Sequence, residues 1–242
     1  MGLCADCWSQ IHAWTGPACP RCGLPIATQL ATDESDWLCG KCRVDEYDFD
    51  FARSFSVYAE PLRSAILLLK FQRRERLGSQ LGELLAELWF DHPEFANAER
   101  PILAPVPLHR SRQRQRGFNQ AEVLARGLAR RLRKESHRTR QQIETRCLLR
   151  IRPTVPQTGL TFKQRLENVR GVFRVNSPEA VKGRVIVLLD DVMTTGATLS
   201  SCAGGLKKAG AARVLGLTLA RATPQFPDGV SPAAEVAVDE FN

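Results

Sequence analysis

The chain has 242 residues, of which 43% are hydrophobic and 25% are charged. This balance indicates a globular protein with one large core and room for a small module, and it excludes a disordered chain. The net charge of +8 and the pI of about 9.3 favour anionic partners such as nucleotide phosphates, diphosphate or nucleic acid. Every apolar run is shorter than the roughly 18 residues of a membrane span, so we expect no membrane segment.

Cysteines are concentrated at the start of the chain, as three CxxC pairs: Cys4/Cys7, Cys19/Cys22 and Cys39/Cys42. A CxxC turn places two thiolates on one side of a metal, and two such turns complete a tetrahedral zinc site. We predict that the second and third pairs share one structural Zn²⁺. The first pair has no obvious partner pair, and it either displaces one of the others or forms half of a second ribbon.

The Cys-rich module is expected to span residues 1–46, with a larger domain at residues 47–242. An acidic and aromatic stretch at residues 45–51 marks the predicted boundary. The N-terminus lacks the basic start and apolar core of a signal peptide. We therefore expect a reducing, cytoplasmic location, where cysteines bind metal and do not form disulfides. A module this small has little core, so its folding should be coupled to metal binding.

The larger domain shows alternating strand and helix patterns, which favour a parallel sheet flanked by helices. Predicted strands lie at residues 55–59, 102–107, 147–151, 185–189 and 214–220. One predicted helix begins at Pro61, and three more run over residues 76–89, 120–134 and 199–209. Cys147 and Cys202 fall in apolar patterns and are expected to be ordinary buried thiols.

A basic segment follows the second predicted strand, with arginines at Arg110, Arg112, Arg114 and Arg116. Residues 109–152 contain fourteen Lys and Arg against three Asp and Glu. The planar donors of arginine suit phosphate and diphosphate. We expect these arginines and Asn119 to lie on a diphosphate-binding loop. The basic helix at residues 126–134 is better explained as a solvated face.

A Pro/Gly/Thr-rich stretch begins at residue 152, and Gln157, Arg165 and Asn168 lie on it or just beyond it. Loops of this composition often act as lids, which exclude water from reactive intermediates. We expect Gln157 and Arg165 to contribute to diphosphate binding from such a lid.

The stretch from Val185 to Leu199 contains an unbroken apolar run, then Asp190 and Asp191, and then a short Thr/Gly/Ala loop before a helix. A short continuous apolar run is typical of a strand buried on both faces. Open α/β sheets bind ligands at the carboxyl ends of their strands. Small residues before a helix N-terminus suit a phosphate, and paired carboxylates accept hydrogen bonds from ribose hydroxyls.

Residues 187–199 resemble the phosphoribosyl diphosphate (PRPP) motif of type I phosphoribosyltransferases. The resemblance implies that Asp190 and Asp191 hold the ribose. It also implies that the rest of the motif holds the 5′-phosphate, through Val192, Met193, Thr194, Thr195, Gly196, Ala197 and Thr198.

Nearly the whole chain resembles the ComF family. The resemblance rests on the CxxC pairs, the V-P-V-P-like segment at residues 104–107, the R-G-F-N-Q block at residues 116–120 and the N-V-R-G-V-F block ending at Phe173. It implies a type I phosphoribosyltransferase fold with a hood, and catalytic roles for Asp190, Asp191, Arg112 and Arg116. It further implies Mg²⁺ with PRPP, and single-stranded DNA or a DNA-uptake helicase as partners. Many members carry four CxxC pairs, so we expect either a start site placed too late or a degenerate first ribbon.

Two functions follow from this resemblance. The chain is either an enzyme that transfers a phosphoribosyl group to an unidentified acceptor, or a non-catalytic sensor of PRPP or nucleotides. In the second case it would be a DNA-uptake accessory protein with the ribbon as its docking surface. An enzyme releases diphosphate from PRPP when the right acceptor is present, whereas a binder does not.

Overall fold

The computed structural model describes residues 3–26, 38–136, 141–153 and 171–223. The strands in these ranges are β1 (Phe51–Val57), β2 (Ile102–Pro105), β3 (Gln142–Ile143), β4 (Leu148–Arg150), β5 (Phe173–Val175), β6 (Val185–Met193) and β7 (Arg213–Arg221). Five of them form a parallel sheet in the order β1–β7–β6–β2–β3, while β4 and β5 form a separate antiparallel pair. This confirms the α/β class and the parallel sheet.

Helices connect these strands and cover the sheet. They are α1 (Ala5–Ser9), α2 (Gly40–Arg43), α3 (Leu62–Gln72), α4 (Glu75–Asp91), α5 (Pro93–Ala96), α6 (Arg110–Arg116), α7 (Gln120–Ser136), α8 (Pro178–Val181) and α9 (Ala197–Lys208). Helices α3, α4, α7 and α9 confirm the four predicted from apolar spacing. Their ends differ from the predicted ends by a few residues.

Strand β6 is buried on both faces, which explains its unbroken apolar sequence. Val187 and Leu189 join the core cluster that contains leucines of α4 and α7, such as Leu85 and Leu128. Ile186 and Leu188 face the opposite cluster, which contains residues of α9 and the four cysteines of the second and third CxxC pairs. Burial of each such side chain contributes roughly 1.5–3 kcal/mol to folding. The sheet therefore has one helical face and one face shared by a helix and the Cys-rich module.

Helices α4 and α7 cross with their backbones close together. A Cβ atom on Gly127 of α7 would lie 2.2 Å from the Ser79 carbonyl oxygen of α4. Only glycine allows this approach, which brings the leucine faces of both helices onto the sheet.

The Cys-rich module is hydrogen-bonded directly to the edge strand β1. The amide of Ala52 donates to the Arg21 carbonyl oxygen at 2.8 Å, and the amide of Trp14 donates to the Phe55 carbonyl oxygen at 2.7 Å. The Arg53 guanidinium reaches back to the Pro20 carbonyl oxygen at 2.9 Å. These bonds attach the module to the sheet on the outer side of β1.

Three sequence expectations need correction. The segment Arg110–Arg116 is the short helix α6, because the His109 imidazole accepts a hydrogen bond from the Ser111 amide and Gly117 ends the helix at φ 87°. The third predicted strand, β4, lies outside the parallel sheet because it pairs with β5. Asp190 and Asp191 lie within β6, since its pairing with β7 continues to Met193.

Candidate functional site

A cavity of about 770 Å³ lies at the carboxyl edge of the sheet. It opens where β6 extends beyond its pairing with β2, which ends at Pro105↔Leu189. The residues of the motif and of the basic segment that line it are Arg112, Arg116, Asp190, Asp191, Val192, Met193, Thr194, Gly196 and Thr198. The fold therefore brings an acidic pair, arginines and a helix N-terminus into one space.

The acidic pair differs in its contacts. Asp191 is buried, and its Oδ1 atom lies 3.0 Å from the Nζ atom of Lys70. The Oδ2 atom of Asp191 is also buried and has no hydrogen-bond partner among the described residues. Oδ1 of Asp190 accepts a hydrogen bond from the Asp191 amide at 2.9 Å. Hydroxyl groups and Mg²⁺ both favour such carboxylate oxygens, so the pair fits a ribose or a magnesium ion.

Lys70 is the cation that holds the acidic pair in place. Burial alone would lower its pKa, but attraction to Asp191 and Asp190 outweighs burial and raises the pKa. Lys70 therefore stays charged at neutral pH and keeps a positive charge next to two carboxylates.

Asp190 has an unusual protonation equilibrium. Burial, followed by repulsion from Asp191, raises its pKa to about 7, although the Asp191 amide and Lys70 act in the opposite direction. A carboxyl group with a pKa near 7 changes its charge in the physiological range. A ligand that needs the carboxylate must therefore displace a proton at lower pH.

Four arginines line the cavity: Arg73, Arg112, Arg116 and Arg150. Burial lowers the pKa of Arg116, and Asp191 and Asp190 partly restore it. The Arg116 guanidinium also donates to Oε1 of Gln120 at 2.5 Å and lies 5.9 Å from the centroid of the Phe71 ring. This arrangement places fixed positive charge where a polyanionic ligand would contact the acidic pair.

Other residues of the predicted diphosphate loop lie elsewhere. Arg110 and Arg114 are exposed on α6, and Nε of Arg114 donates to the Arg110 carbonyl oxygen. Asn119 is buried, where Nδ2 donates to the Val106 carbonyl oxygen at 3.0 Å and Oδ1 accepts from the Ala121 amide at 3.1 Å. The second bond caps α7, so Asn119 holds the helix in position. Gln157, Arg165 and Asn168 lie outside the described residues.

The phosphate loop comprises Thr194, Thr195 and Gly196 and leads into α9. The N-cap residue of α9 is Gly196, which makes no side-chain cap hydrogen bond, and the helix dipole gives this end partial positive charge. Ala197 and Thr198, predicted in the loop, form the first turn of the helix. The Thr195 hydroxyl accepts a hydrogen bond from the Ala197 amide at 3.4 Å, which tightens the turn.

Gly196 is required by both conformation and space. Its φ of 80° lies in the left-handed region, and an added Cβ atom would lie 2.8 Å from Cε1 of Tyr47. The sequence predicts that a larger residue blocks the approach of backbone to phosphate. The structure adds that the Tyr47 ring already occupies that space.

The four cysteines Cys19, Cys22, Cys39 and Cys42 come together with all Sγ atoms within 4.8 Å of one another. Cys22 and Cys39 Sγ atoms are 3.5 Å apart. Zn–S bonds of about 2.3 Å require sulfur separations of nearly 4 Å, so the cluster fits tetrahedral Zn²⁺. Hydrogen bonding between the first two thiols lowers the pKa of Cys19 and raises that of Cys22. The second and third CxxC motifs come together in one cluster positioned to bind a metal, in agreement with the predicted pairing.

Cys4 and Cys7 are not part of this cluster. Sγ of Cys4 accepts a hydrogen bond from the Cys7 amide at 3.4 Å at the start of α1, and Cys4 is exposed. Elsewhere, Cys147 and Cys202 are buried, as expected.

Comparisons with known proteins find relatives that are named for DNA utilization and for competence. The "DNA utilization protein YhgH" of Escherichia coli K12 is 33% identical over 88% of this chain and 87% of its own length. "Competence protein F" of Haemophilus influenzae is 31% identical over 91% of each chain. "Competence protein ComFC" of Bacillus subtilis is 28% identical over 90% of this chain and 84% of its own length. The chain belongs to the ComF family.

The Cys-rich module of this ComF protein has its own match, because the double zinc ribbon domain family matches residues 1–43. Two solved structures are loosely similar. One is an allosteric regulatory enzyme of purine biosynthesis, with 21% identity and a TM-score of 0.36. The match covers 58% of this chain and 25% of the enzyme's chain. The other is hypoxanthine-guanine phosphoribosyltransferase from Schistosoma mansoni, with 14% identity and a TM-score of 0.34. The match covers 82% of this chain and 81% of that chain.

Sequence reasoning missed several cavity residues of this ComF protein, among them Tyr58, Lys70, Arg73 and Arg150. Lys70 falls within the apolar spacing of α3, and Arg150 is the last residue of β4 in the antiparallel pair. A lysine on the buried side of an amphipathic helix is the one signal that pointed to a paired charge. Among the described residues, no helix is long and apolar enough to cross a bilayer.

Proposed function

We propose that this protein binds PRPP and transfers its phosphoribosyl group to an acceptor. The observation that supports the proposal best is the convergence of Asp190, Asp191, the cavity arginines and the open N-terminus of α9 around one cavity. PRPP carries two hydroxyls, a 5′-phosphate and a diphosphate, and each has a chemically matched partner there.

The 5′-phosphate would lie on the amides at residues 194–198, where the dipole of α9 favours negative charge. The ribose hydroxyls would donate to the carboxylates of Asp190 and Asp191. Lys70 pairs with Oδ1 of Asp191 and holds that carboxylate in position. The diphosphate would extend toward Arg112 and Arg116.

The reaction breaks the bond between ribose C1 and the diphosphate oxygen, and the electron pair leaves with diphosphate. The acceptor's lone pair forms the new bond to C1, and the acceptor gives up a proton. Bound Mg²⁺ would neutralise part of the diphosphate charge, and the free Oδ2 of Asp191 offers it a hard oxygen ligand. Arg112 and Arg116 stabilise charge that grows on the leaving group, which matters more here than acid–base catalysis.

Isothermal titration with PRPP and Mg²⁺ tests binding. The double variant Asp190→Ala with Asp191→Ala should lose at least a hundredfold in affinity, because hydrogen bonds to charged groups contribute about 1.5–3 kcal/mol each. Asp91→Ala with Glu94→Ala removes two acids that do not line the cavity and serves as the matched control. Unchanged affinity in the double aspartate variant would falsify this site assignment.

Catalysis is tested separately, by screening a metabolite mixture for PRPP-dependent release of diphosphate. Release that disappears with Arg112→Met or Arg116→Met supports a transferase. Tight PRPP binding without any release indicates a sensor.

A second function, DNA handling in a DNA-uptake apparatus of the cytoplasm, is favoured by one observation. The basic residues of α7 lie on its exposed side, where Arg126 is paired with Glu122 and Arg131 with Glu135 on the same helix. Together with the names of the relatives, this supports single-stranded DNA or a DNA-uptake helicase as a partner. Fluorescence anisotropy with a labelled oligonucleotide at two salt concentrations tests it, since phosphate contacts weaken steeply with salt.

A further inference from the structure

Arg221 is a buried cation at the end of β7. Its residue is 3% exposed, and its Nε and Nη1 atoms have no hydrogen-bond partner among the described residues. A buried charge without compensation destabilises a fold by several kcal/mol. The position therefore calls for a negative group nearby.

The cysteine cluster provides that negative group when it holds a metal. Hydrogen bonding with Cys19 and burial raise the pKa of Cys22, while the positive charge of Arg221 acts on it in the opposite direction. Burial lowers the pKa of Lys41 on α2, and Arg221 adds to that effect. Four thiolates around one divalent ion would keep a net double negative charge, which the single positive charge of Arg221 would partly offset.

Tyr47 connects this region to the phosphate loop. Its hydroxyl donates to the Thr195 carbonyl oxygen at 2.9 Å, and its ring lies against Gly196. Burial raises the pKa of Tyr47 above its usual range, while Arg221 opposes this through its charge and a side-chain hydrogen bond. The Tyr47 side chain thus contacts the phosphate loop directly, and the charge of Arg221 acts on both Tyr47 and the Cys22 thiol.

The segment that carries Tyr47 is fixed on both sides. The Arg21 guanidinium, two residues from Cys19 and one from Cys22, donates to the Tyr47 carbonyl oxygen at 2.7 Å. The Asp48 amide donates to the Ser200 hydroxyl of α9 at 3.0 Å. A change in the cysteine cluster therefore has a rigid route to the loop and to the helix that follows it.

We propose that Tyr47 and Arg221 are positioning residues that couple the two sites, so that metal in the cysteine cluster and PRPP in the cavity each strengthen binding of the other. The proposal rests on the PRPP site proposed above. Coupling of this kind is reciprocal, and a single factor describes both directions.

The test measures PRPP dissociation constants by titration calorimetry in the presence of Mg²⁺. Four full-length proteins are compared: the parent, Tyr47→Phe, Arg221→Met and Arg53→Met. Each is measured after zinc loading and again after chelation, with circular dichroism as a check on folding. Tyr47→Phe keeps the ring and removes only the hydroxyl, so it separates the hydrogen bond from core packing.

The parent should bind PRPP about fivefold more tightly when it holds zinc, the effect of one well-placed hydrogen bond. Zinc-loaded Tyr47→Phe should bind PRPP about fivefold more weakly than the zinc-loaded parent and retain one zinc. The ratio of its PRPP affinities with and without zinc should fall toward one. Arg221→Met should also lose the response, and its zinc affinity should fall about tenfold, as for other outer-shell partners of a metal.

Arg53→Met is the matched control, because Arg53 also contacts the Cys-rich module, at the Pro20 carbonyl oxygen, but has no contact with Tyr47 among its hydrogen bonds. It should keep the full zinc response.

Equal PRPP affinities for zinc-loaded parent and zinc-loaded Tyr47→Phe overturn the coupling, even if the zinc-free proteins do not fold. A zinc response that survives unchanged in Tyr47→Phe overturns it as well. Absence of PRPP binding in the zinc-loaded parent is a different result, because it removes the proposed function itself.

Discussion

The cysteine cluster and the cavity at the sheet edge assemble their residues in opposite ways. The cluster takes all four ligands from two CxxC turns in one short module, and their spacing alone predicts the site. The cavity draws residues from α3, α6, the antiparallel strands and the β6–α9 connection. A site made by local turns is encoded in spacing, whereas a site made by convergence is visible only once the sheet has formed.

The largest effect is expected when two of the four cysteines of the cluster are replaced. Cys19→Ser with Cys39→Ser should reduce bound zinc from one equivalent to none, because two of four ligands are lost. Metal analysis of purified protein measures it. Cys4→Ser with Cys7→Ser should retain one equivalent, since that pair lies outside the cluster. Full zinc in the first variant would contradict the assignment.

A smaller but still large effect on stability is expected when Lys70, in the convergent site, is replaced. Lys70→Met leaves the buried Asp191 carboxylate without its ion-pair partner, so the free energy of unfolding should fall by about 3–5 kcal/mol. Urea unfolding measures this change. Lys207→Met removes the half-exposed partner of Asp50 and should lower the same free energy by less than about 1 kcal/mol. Equal losses in both variants would show that the Lys70 pair is not special.

Binding of PRPP in the cavity should depend on pH. In the folded protein the pKa of Asp190 is raised to about 7 from an ordinary value near 4. The protonated form is thus favoured below pH 7, and PRPP that needs the carboxylate should bind about tenfold more weakly at pH 6 than at pH 8. PRPP itself titrates in this range, so Asp190→Asn provides the correction. Identical pH profiles for parent and variant would rule out Asp190 as the titrating group.

The smallest effect is expected on the surface of α7. Arg126→Ala removes an exposed ion pair with Glu122 on the same helix. Such pairs contribute roughly 0.3–0.5 kcal/mol, so the unfolding midpoint should barely move. A loss of more than about 1 kcal/mol would show that this face is packed against something other than solvent.

Sequence patterns predicted the elements that bury apolar faces. Strand β6 and the helices on either side of it follow from runs and spacings of apolar residues, which report burial directly. The same patterns misplaced Arg110–Arg116 as a loop. A run of arginines alternating with Ser and Gln has no apolar face, so only the His109 cap and Gly117 signal the helix α6.

The candidate site was predictable where its residues are consecutive. Asp190, Asp191 and the phosphate loop form one stretch, and the structure lines the cavity with most of them. Lys70 and Tyr47 were missed because their roles depend on partners more than a hundred residues away, Asp191 and Thr195. Contacts between residues so far apart in the sequence form through tertiary packing, so they leave no local sequence pattern.

The bonds between the Cys-rich module and β1 have a further consequence, for colloidal behaviour. Strand β1 is an edge of the parallel sheet, and its unpaired backbone groups are the usual template for adding a foreign strand. The amide of Ala52 and the carbonyl of Phe55 are instead occupied by Arg21 and Trp14. The module therefore also shields this edge of the sheet from self-association, and a variant in which the module unfolds should leave the edge open to a second molecule.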